Sequence, residues 1–223
     1  MSRTRILESM PETTYQRLRD ATLRFAERSA AYRLARPDGL VEAPRPKVLW
    51  IGCADGRDSP SEMTGLNAED IVVYRNLANM VVHTDLNCFS VIDYAVSELR
   101  VEHVIVCGHY GCRKISDAIS SQSHGRLDNW YGHIKDVYRL HRRALERLPV
   151  EERSARLVEL NVIEQVVNVC TSSIILQAWE DRALPQIHGW VMDIGLGRVK
   201  DLGVTVKGSS DFTTLLYSLS SRR

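Results

Sequence analysis

The sequence predicts an α/β domain built on a parallel β-sheet, and three features carry that expectation. The runs "KVLWIGC" (47–53), "DIVVYRN" (70–76) and "HVIVCG" (103–108) are apolar without alternation, as strands buried on both faces are. A stretch of helical period separates the second run from the third, and strand–helix–strand implies a right-handed crossover between parallel strands. At 223 residues the chain is long enough for one such domain with a sizeable core.

Residues 11–36 read as a charged helix whose apolar positions Tyr15, Leu18, Phe25 and Tyr32 are too sparse for a core helix. Pro37, Gly39, Pro44 and Pro46 then break the chain. Residues 1–43 are therefore expected to form an N-terminal helical arm and 44–223 the main domain. The arm packs on a partner subunit or, equally, lies on its own domain. In "TDLNCFSVIDYAVSELR" (84–100), Thr84 is placed as the helix cap, with Leu86, Phe89, Ile92, Val96 and Leu99 facing inward. Residues 128–148 and 155–179 each read as a helix, 186–194 as a further strand and "SLSSRR" (218–223) as a polar tail.

Composition narrows the function. With 29 basic and 28 acidic residues, no net field favours nucleic acid or an anionic membrane. No apolar run approaches the roughly 18–20 residues of a bilayer span. The N-terminus lacks an apolar signal region. Arg3 and Arg5 hint at a transit peptide, but Glu8, Glu12 and Asp20 spoil it, so a cytoplasmic protein is expected, with an organelle as the alternative. Five cysteines, an odd set, point to free thiols or metal ligands rather than disulfides.

Two of those cysteines carry the chemistry. Cys53 ends the first strand, and His109 and Cys112 follow the third. Ligands of open α/β sheets collect beyond the carboxyl ends of strands that flank a topological switch point. If these strands are neighbours, two thiolates and one imidazole converge and leave a tetrahedral zinc ion one open position, the catalytic rather than the structural arrangement. Asp55 can reach that position, and Arg57 can hold its carboxylate ionised. An ordinary loop salt bridge is the alternative. Cys88, Cys107 and Cys170 are expected as buried thiols, and His83, His103, His133, His141 and His188 as structural or exposed histidines.

The pairing of Cys53-x-Asp55-x-Arg57 with His109-x-x-Cys112 resembles the β-class carbonic anhydrases. "LWIGCADGR", "VYRNLANMVVHTDLN", "SVIDYAVSELRVEHVIVCGHYGC", "DNWYGHIKDV", "ELNVIEQVVNV" and "IHGWVMDIGLG" are similar to that family's blocks, in its order and over most of the chain. The resemblance implies a mostly parallel central sheet with an added antiparallel strand, flanked by helices. It implies homodimers or homotetramers whose N-terminal helices embrace the neighbouring subunit. It also implies Zn2+ on Cys53, His109 and Cys112, interconversion of CO2 and bicarbonate, and an Asp55, oriented by Arg57, that directs the attacking water.

The chain departs from the family pattern near the substrate. Arg113 and Lys114 replace a Gly-Gly pair, and Arg113 is expected to narrow the CO2 pocket, to pair with Asp55 and so to weaken hydration. Pro44 replaces a glutamine that contacts substrate, and Asp58-Ser59 stand where one apolar residue is usual. Trp50 and Arg75 match a pair that holds inhibitory bicarbonate in one branch of the family, but the third member, a tyrosine, is Met192 here. Trp50 as a core residue and Arg75 as an interface ion-pair partner is the preferred reading. Two other functions remain in view: a non-catalytic zinc-binding homologue with a scaffolding or regulatory role, and a hydrolase of CS2 or COS.

Overall fold

The apolar run that ends at Cys53 forms the heart of the sheet. In the computed structural model, which describes residues 13–34, 45–56 and 59–220, strand β1 (Val48–Cys53) is buried at every position. With β2 (Ile71–Asn76), β3 (His103–His109), β4 (Gln186–Asp193) and β5 (Arg198–Val206) it makes a five-stranded sheet in the order β2-β1-β3-β4-β5. The first four strands are parallel, and β5 pairs antiparallel with β4. From β1 the chain crosses to β2 on one side and then to β3 on the other, so the winding reverses between β1 and β3. That reversal is the switch point, and Cys53 and His109 stand at its carboxyl end.

Nine α-helices are present among the described residues: α1 (Thr14–Leu34), α2 (Pro60–Thr64), α3 (Leu86–Asp93), α4 (Arg113–Ala118), α5 (Leu127–Leu140), α6 (Arg142–Glu146), α7 (Val150–Cys170), α8 (Ser173–Arg182) and α9 (Ser209–Ser220). None is long and apolar enough to cross a membrane. The chain divides into two compact units, Met1–Ala43 and Pro44–Arg223. In the first, α1 leaves Tyr15, Leu18 and Phe25 exposed; the Tyr32 side chain lies outside the described residues.

In the second unit α7 lies directly on the sheet, and two strand glycines admit it. A Cβ on Gly108 would stand 2.9 Å from Val162 Cγ2 and 3.2 Å from Val158 Cγ1, and one on Gly189 would stand 3.2 Å from Val162 Cγ1. The valines of α7 therefore occupy space that any side chain on β3 or β4 would fill. The opposite face carries a smaller cluster of Val48, Trp50, Ile71, Ile105, Cys107 and Met192. There Trp50 meets Trp190 edge to face at 6.2 Å.

Several boundaries differ from the sequence expectation. Asp85, not Thr84, caps α3: its carboxylate accepts from the Asn87 and Cys88 amides at 3.1 and 3.2 Å. A charged acceptor one residue closer to the helix serves two amides at once. Leu86, expected inward, is 80% exposed, and Cys88 takes the buried place beside Ile92 and Val96. The helix expected over 128–148 breaks at His141, and that over 155–179 at Thr171 and Ser172. Ser172 caps α8 by accepting from the Ile175 amide. The supposed polar tail begins inside α9, where Leu219 is buried; residues 221–223 lie outside the described ones.

Candidate metal centre

β1 and β3 pair directly, so their ends bring Cys53, His109 and Cys112 together. The two sulfurs are 3.8 Å apart. One ligating atom from each of the three residues lies within 4.8 Å of the others, and all three residues are buried. Two sulfurs bound at about 2.3 Å to one tetrahedral zinc stand about 3.8 Å apart. His109 Nδ1 lies 3.3 Å from the Tyr110 carbonyl, to which its N–H donates, whereas Nε2 is buried without a hydrogen-bond partner. An orphaned buried nitrogen is costly unless something fills its lone pair. The residues present thus fit a metal ion, and a donor set of two sulfurs and one nitrogen suits Zn2+.

The surrounding backbone is arranged for thiolate charge. Cys53 Sγ accepts from the Ala78 amide at 3.3 Å and the Asp55 amide at 3.4 Å. Ala78 and Asn79 both hold positive φ, 66° and 48°, a strained choice for residues with a Cβ. Side chains hold that turn in place: Trp130 Nε1 donates to the Leu77 carbonyl and Asn161 Nδ2 to the Ala78 carbonyl, each at 2.9 Å. Between His109 and Cys112, Gly111 at φ 71° turns the chain back toward the cluster.

Charge in the cluster settles on Cys53. The hydrogen bond from Cys112 lowers its pKa most; burial opposes this, and His109 and the two amides reinforce it, to about 4. Cys112 is pushed up, first by that same bond to Cys53 and then by burial. For His109, burial works downward, but the facing Cys53 thiolate outweighs it and the net shift is upward. Negative charge is thus favoured on Cys53 and disfavoured on Cys112, and a metal ion held by both would require both thiols deprotonated.

The other residues named from sequence are less uniformly placed. Asp55 is half-buried beside the cluster without belonging to it. Arg57, Asp58 and Pro44 lie outside the described residues. Arg113 opens α4 with an exposed side chain, and no ion pair joins it to Asp55 among the described residues, contrary to the expected pairing. Its guanidinium keeps its hydration there. Lys114 instead reaches Asp117 at 3.5 Å. Trp50 is buried as a core residue. Arg75 donates to the Cys53 and Gly56 carbonyls at 2.7 and 2.8 Å, tying β2 to the loop after the first cysteine. The cavity bordered by Trp50, Arg75 and Met192 is about 20 Å³, room for roughly one water molecule.

Sequence reasoning passed over Ala78, Asn161 and Glu159, which buttress the cluster from behind. The available signal was polar residues inside an apolar run: Glu159 and Asn161 interrupt "LVELNV" (157–162), and both are buried.

Comparison with known proteins agrees with this geometry. A family model described as carbonic anhydrase matches residues 48–199. The carbonic anhydrase of Emericella nidulans is 40% identical over 182 residues, spanning 81% of this chain and 80% of that protein. That of Pseudomonas aeruginosa is 31% identical over 188 residues, covering 82% and 85%. Among solved structures, a tetrameric β-carbonic anhydrase of Sordaria macrospora superposes with a TM-score of 0.74 at 32% identity, over 85% of this chain and 99% of that one. The Coccomyxa β-carbonic anhydrase in complex with acetazolamide gives 0.78 at 30% identity, over 92% and 96%.

Proposed function

The chain belongs to the β-class carbonic anhydrases, and from that premise we propose how its own residues carry out the reversible hydration of CO2 to bicarbonate. Cys53, His109 and Cys112 hold Zn2+; the observation that carries this is the pair of sulfurs 3.8 Å apart beside an unpartnered buried His109 Nε2. When bound, the metal supplies Lewis acidity that turns water into a nucleophile near neutral pH. Asp55 would accept a hydrogen bond from the attacking water and so orient it toward the substrate carbon. Arg57 is the cationic partner that would orient the Asp55 carboxylate by a charge-assisted hydrogen bond. The strained 77–79 turn and the Asp55 amide hold the Cys53 sulfur still while charge moves.

Linear, apolar CO2 offers little to hydrogen-bond, so shape decides its approach. The Arg113 stem, in the place of a glycine, narrows that approach, and Pro44 withdraws a donor, so hydration is slower than a glycine at 113 would allow. The guanidinium itself stays in solvent, and the hindrance comes from the stem. Trp50 and Arg75 serve the fold and the loop after Cys53 rather than a bicarbonate site. The assembly is a homodimer or homotetramer, with the exposed apolar residues of α1 covered by a partner subunit. Stopped-flow CO2 hydration on zinc-loaded protein and on Asp55→Asn tests the reading. Catalysis that survives Asp55→Asn undiminished would remove Asp55 from its role.

A further inference from the structure

We propose that Glu159 is a positioning residue for the metal site, acting through Tyr110 on the orientation of His109; the inference rests on the metal reading above. Tyr110 sits between the ligands His109 and Cys112, and three contacts fix it. Its amide donates to the Met192 carbonyl at 2.9 Å, its carbonyl faces His109 Nδ1 at 3.3 Å, and its hydroxyl donates to Glu159 Oε1 at 2.5 Å. Glu159 lies on α7, only 8% exposed. Lys200 Nζ on β5 donates to its Oε1 at 2.7 Å, and Arg156 on α7 to its Oε2 at 2.6 Å.

A carboxylate buried to that degree is expensive unless paired. Two cations and a phenol satisfy it, and together they anchor it against both a helix and a strand. The anchored carboxylate in turn holds the Tyr110 ring, and the Tyr110 carbonyl sets which His109 nitrogen is protonated and which one points at the sulfurs. Partners one step removed from a metal ligand typically change metal affinity 10–100-fold when removed. A purely structural role for Glu159, joining α7 to β5, would need no contact with Tyr110.

The test compares zinc-loaded native protein with Tyr110→Phe, Glu159→Gln, Ser154→Ala and Cys112→Ser, following zinc transfer to a chelator and the visible bands of the cobalt-substituted forms. Tyr110→Phe leaves Glu159 paired to both cations, so it carries the test even if Glu159→Gln does not fold. Tyr110→Phe is expected to release zinc about 10-fold faster or more, with shifted cobalt bands, and Glu159→Gln, which keeps an acceptor oxygen, to fall between it and native. Ser154 contacts neither Tyr110 nor Glu159 but joins α7 to Ser116 of α4 at 2.9 Å, whose hydroxyl lies 3.5 Å from the Cys112 carbonyl, so Ser154→Ala is expected to release zinc clearly more slowly than Tyr110→Phe. Native release and native cobalt bands in Tyr110→Phe overturn the inference, as does equally fast release in Ser154→Ala. Cys112→Ser that keeps its zinc overturns the metal assignment itself, so the two failures are distinguishable.

Discussion

Replacing Gly108 with alanine adds one methyl at the closest approach of α7 to the sheet, immediately before a metal ligand. The new Cβ would stand 2.9 Å from Val162 Cγ2 and 3.2 Å from Val158 Cγ1. Neither valine can swing aside, since they are 0% and 2% exposed. Overpacking of this kind costs about 1–3 kcal/mol. The loss of unfolded-chain freedom in Gly→Ala offsets about 0.4–1 kcal/mol of that. At about 2–4 °C per kcal/mol for a chain of this size, Gly108→Ala should lower Tm by a few degrees. The decisive variant is the double mutant. Val162→Ala alone removes two methyls, costing about 1.6 kcal/mol in transfer plus a cavity contribution, but it also opens the space that the new methyl needs. Urea unfolding at fixed protein concentration should therefore find Gly108→Ala/Val162→Ala more stable than the sum of the single changes by about 1 kcal/mol or more. Additivity within about 0.5 kcal/mol would refute the argument that the glycine exists to seat Val162.

The part of the stability that His188 contributes should fall as the solution is acidified through the histidine range, because burial first and the His103 ring second hold His188 below its ordinary pKa, with Lys207 adding to them and Asp201 opposing. The unfolded chain then binds the proton that the folded one refuses, so stability is lost below about pH 6.5; His188→Gln should flatten that slope in urea midpoints, and an unchanged slope would contradict the assignment. Exchanging Arg113 and Lys114 for glycine together should raise kcat/KM for CO2, and an unchanged value would show that the Arg113 stem lies clear of the substrate's path. Asn161→Ala removes the donor to the Ala78 carbonyl and the acceptor for Gln165 Nε2. It should cost about 1–3 kcal/mol for each buried group left unsatisfied, and a variant within about 0.5 kcal/mol of native would mean that the 77–79 turn does not depend on it.

What the sequence made legible follows the strength of its periodic signals. β1 and β3 stand out because burial on both faces leaves unbroken apolar runs, whereas β2 keeps an apolar run although it is an edge strand with Val73 exposed; Cys53, His109 and Cys112 are conspicuous because they fall at or just beyond the ends of the two buried runs. β5 leaves no comparable trace: it is an edge strand with Arg198, Lys200 and Asp201 exposed, and only the family resemblance implied an antiparallel addition. α4 is six residues long, too short for a helical period to show. The breaks at His141 and Ser172 interrupt helices whose apolar pattern runs straight through them, although Ser172 was a readable cap. Tyr110 and Glu159 are 49 positions apart. Nothing local couples them, and the only clue was a carboxylate stranded in an apolar run.

Whether Cys53, His109 and Cys112 form a zinc site that hydrates CO2 is decided by titrating metal-stripped protein with Zn2+ while following CO2 hydration in a stopped-flow instrument. Catalysis should be absent without metal, rise in proportion to added zinc and level off at about one zinc per chain, the capacity of a single three-donor cluster. A rate that is full before any zinc is added, or one that stays at the buffer value after the site is filled, would contradict that assignment.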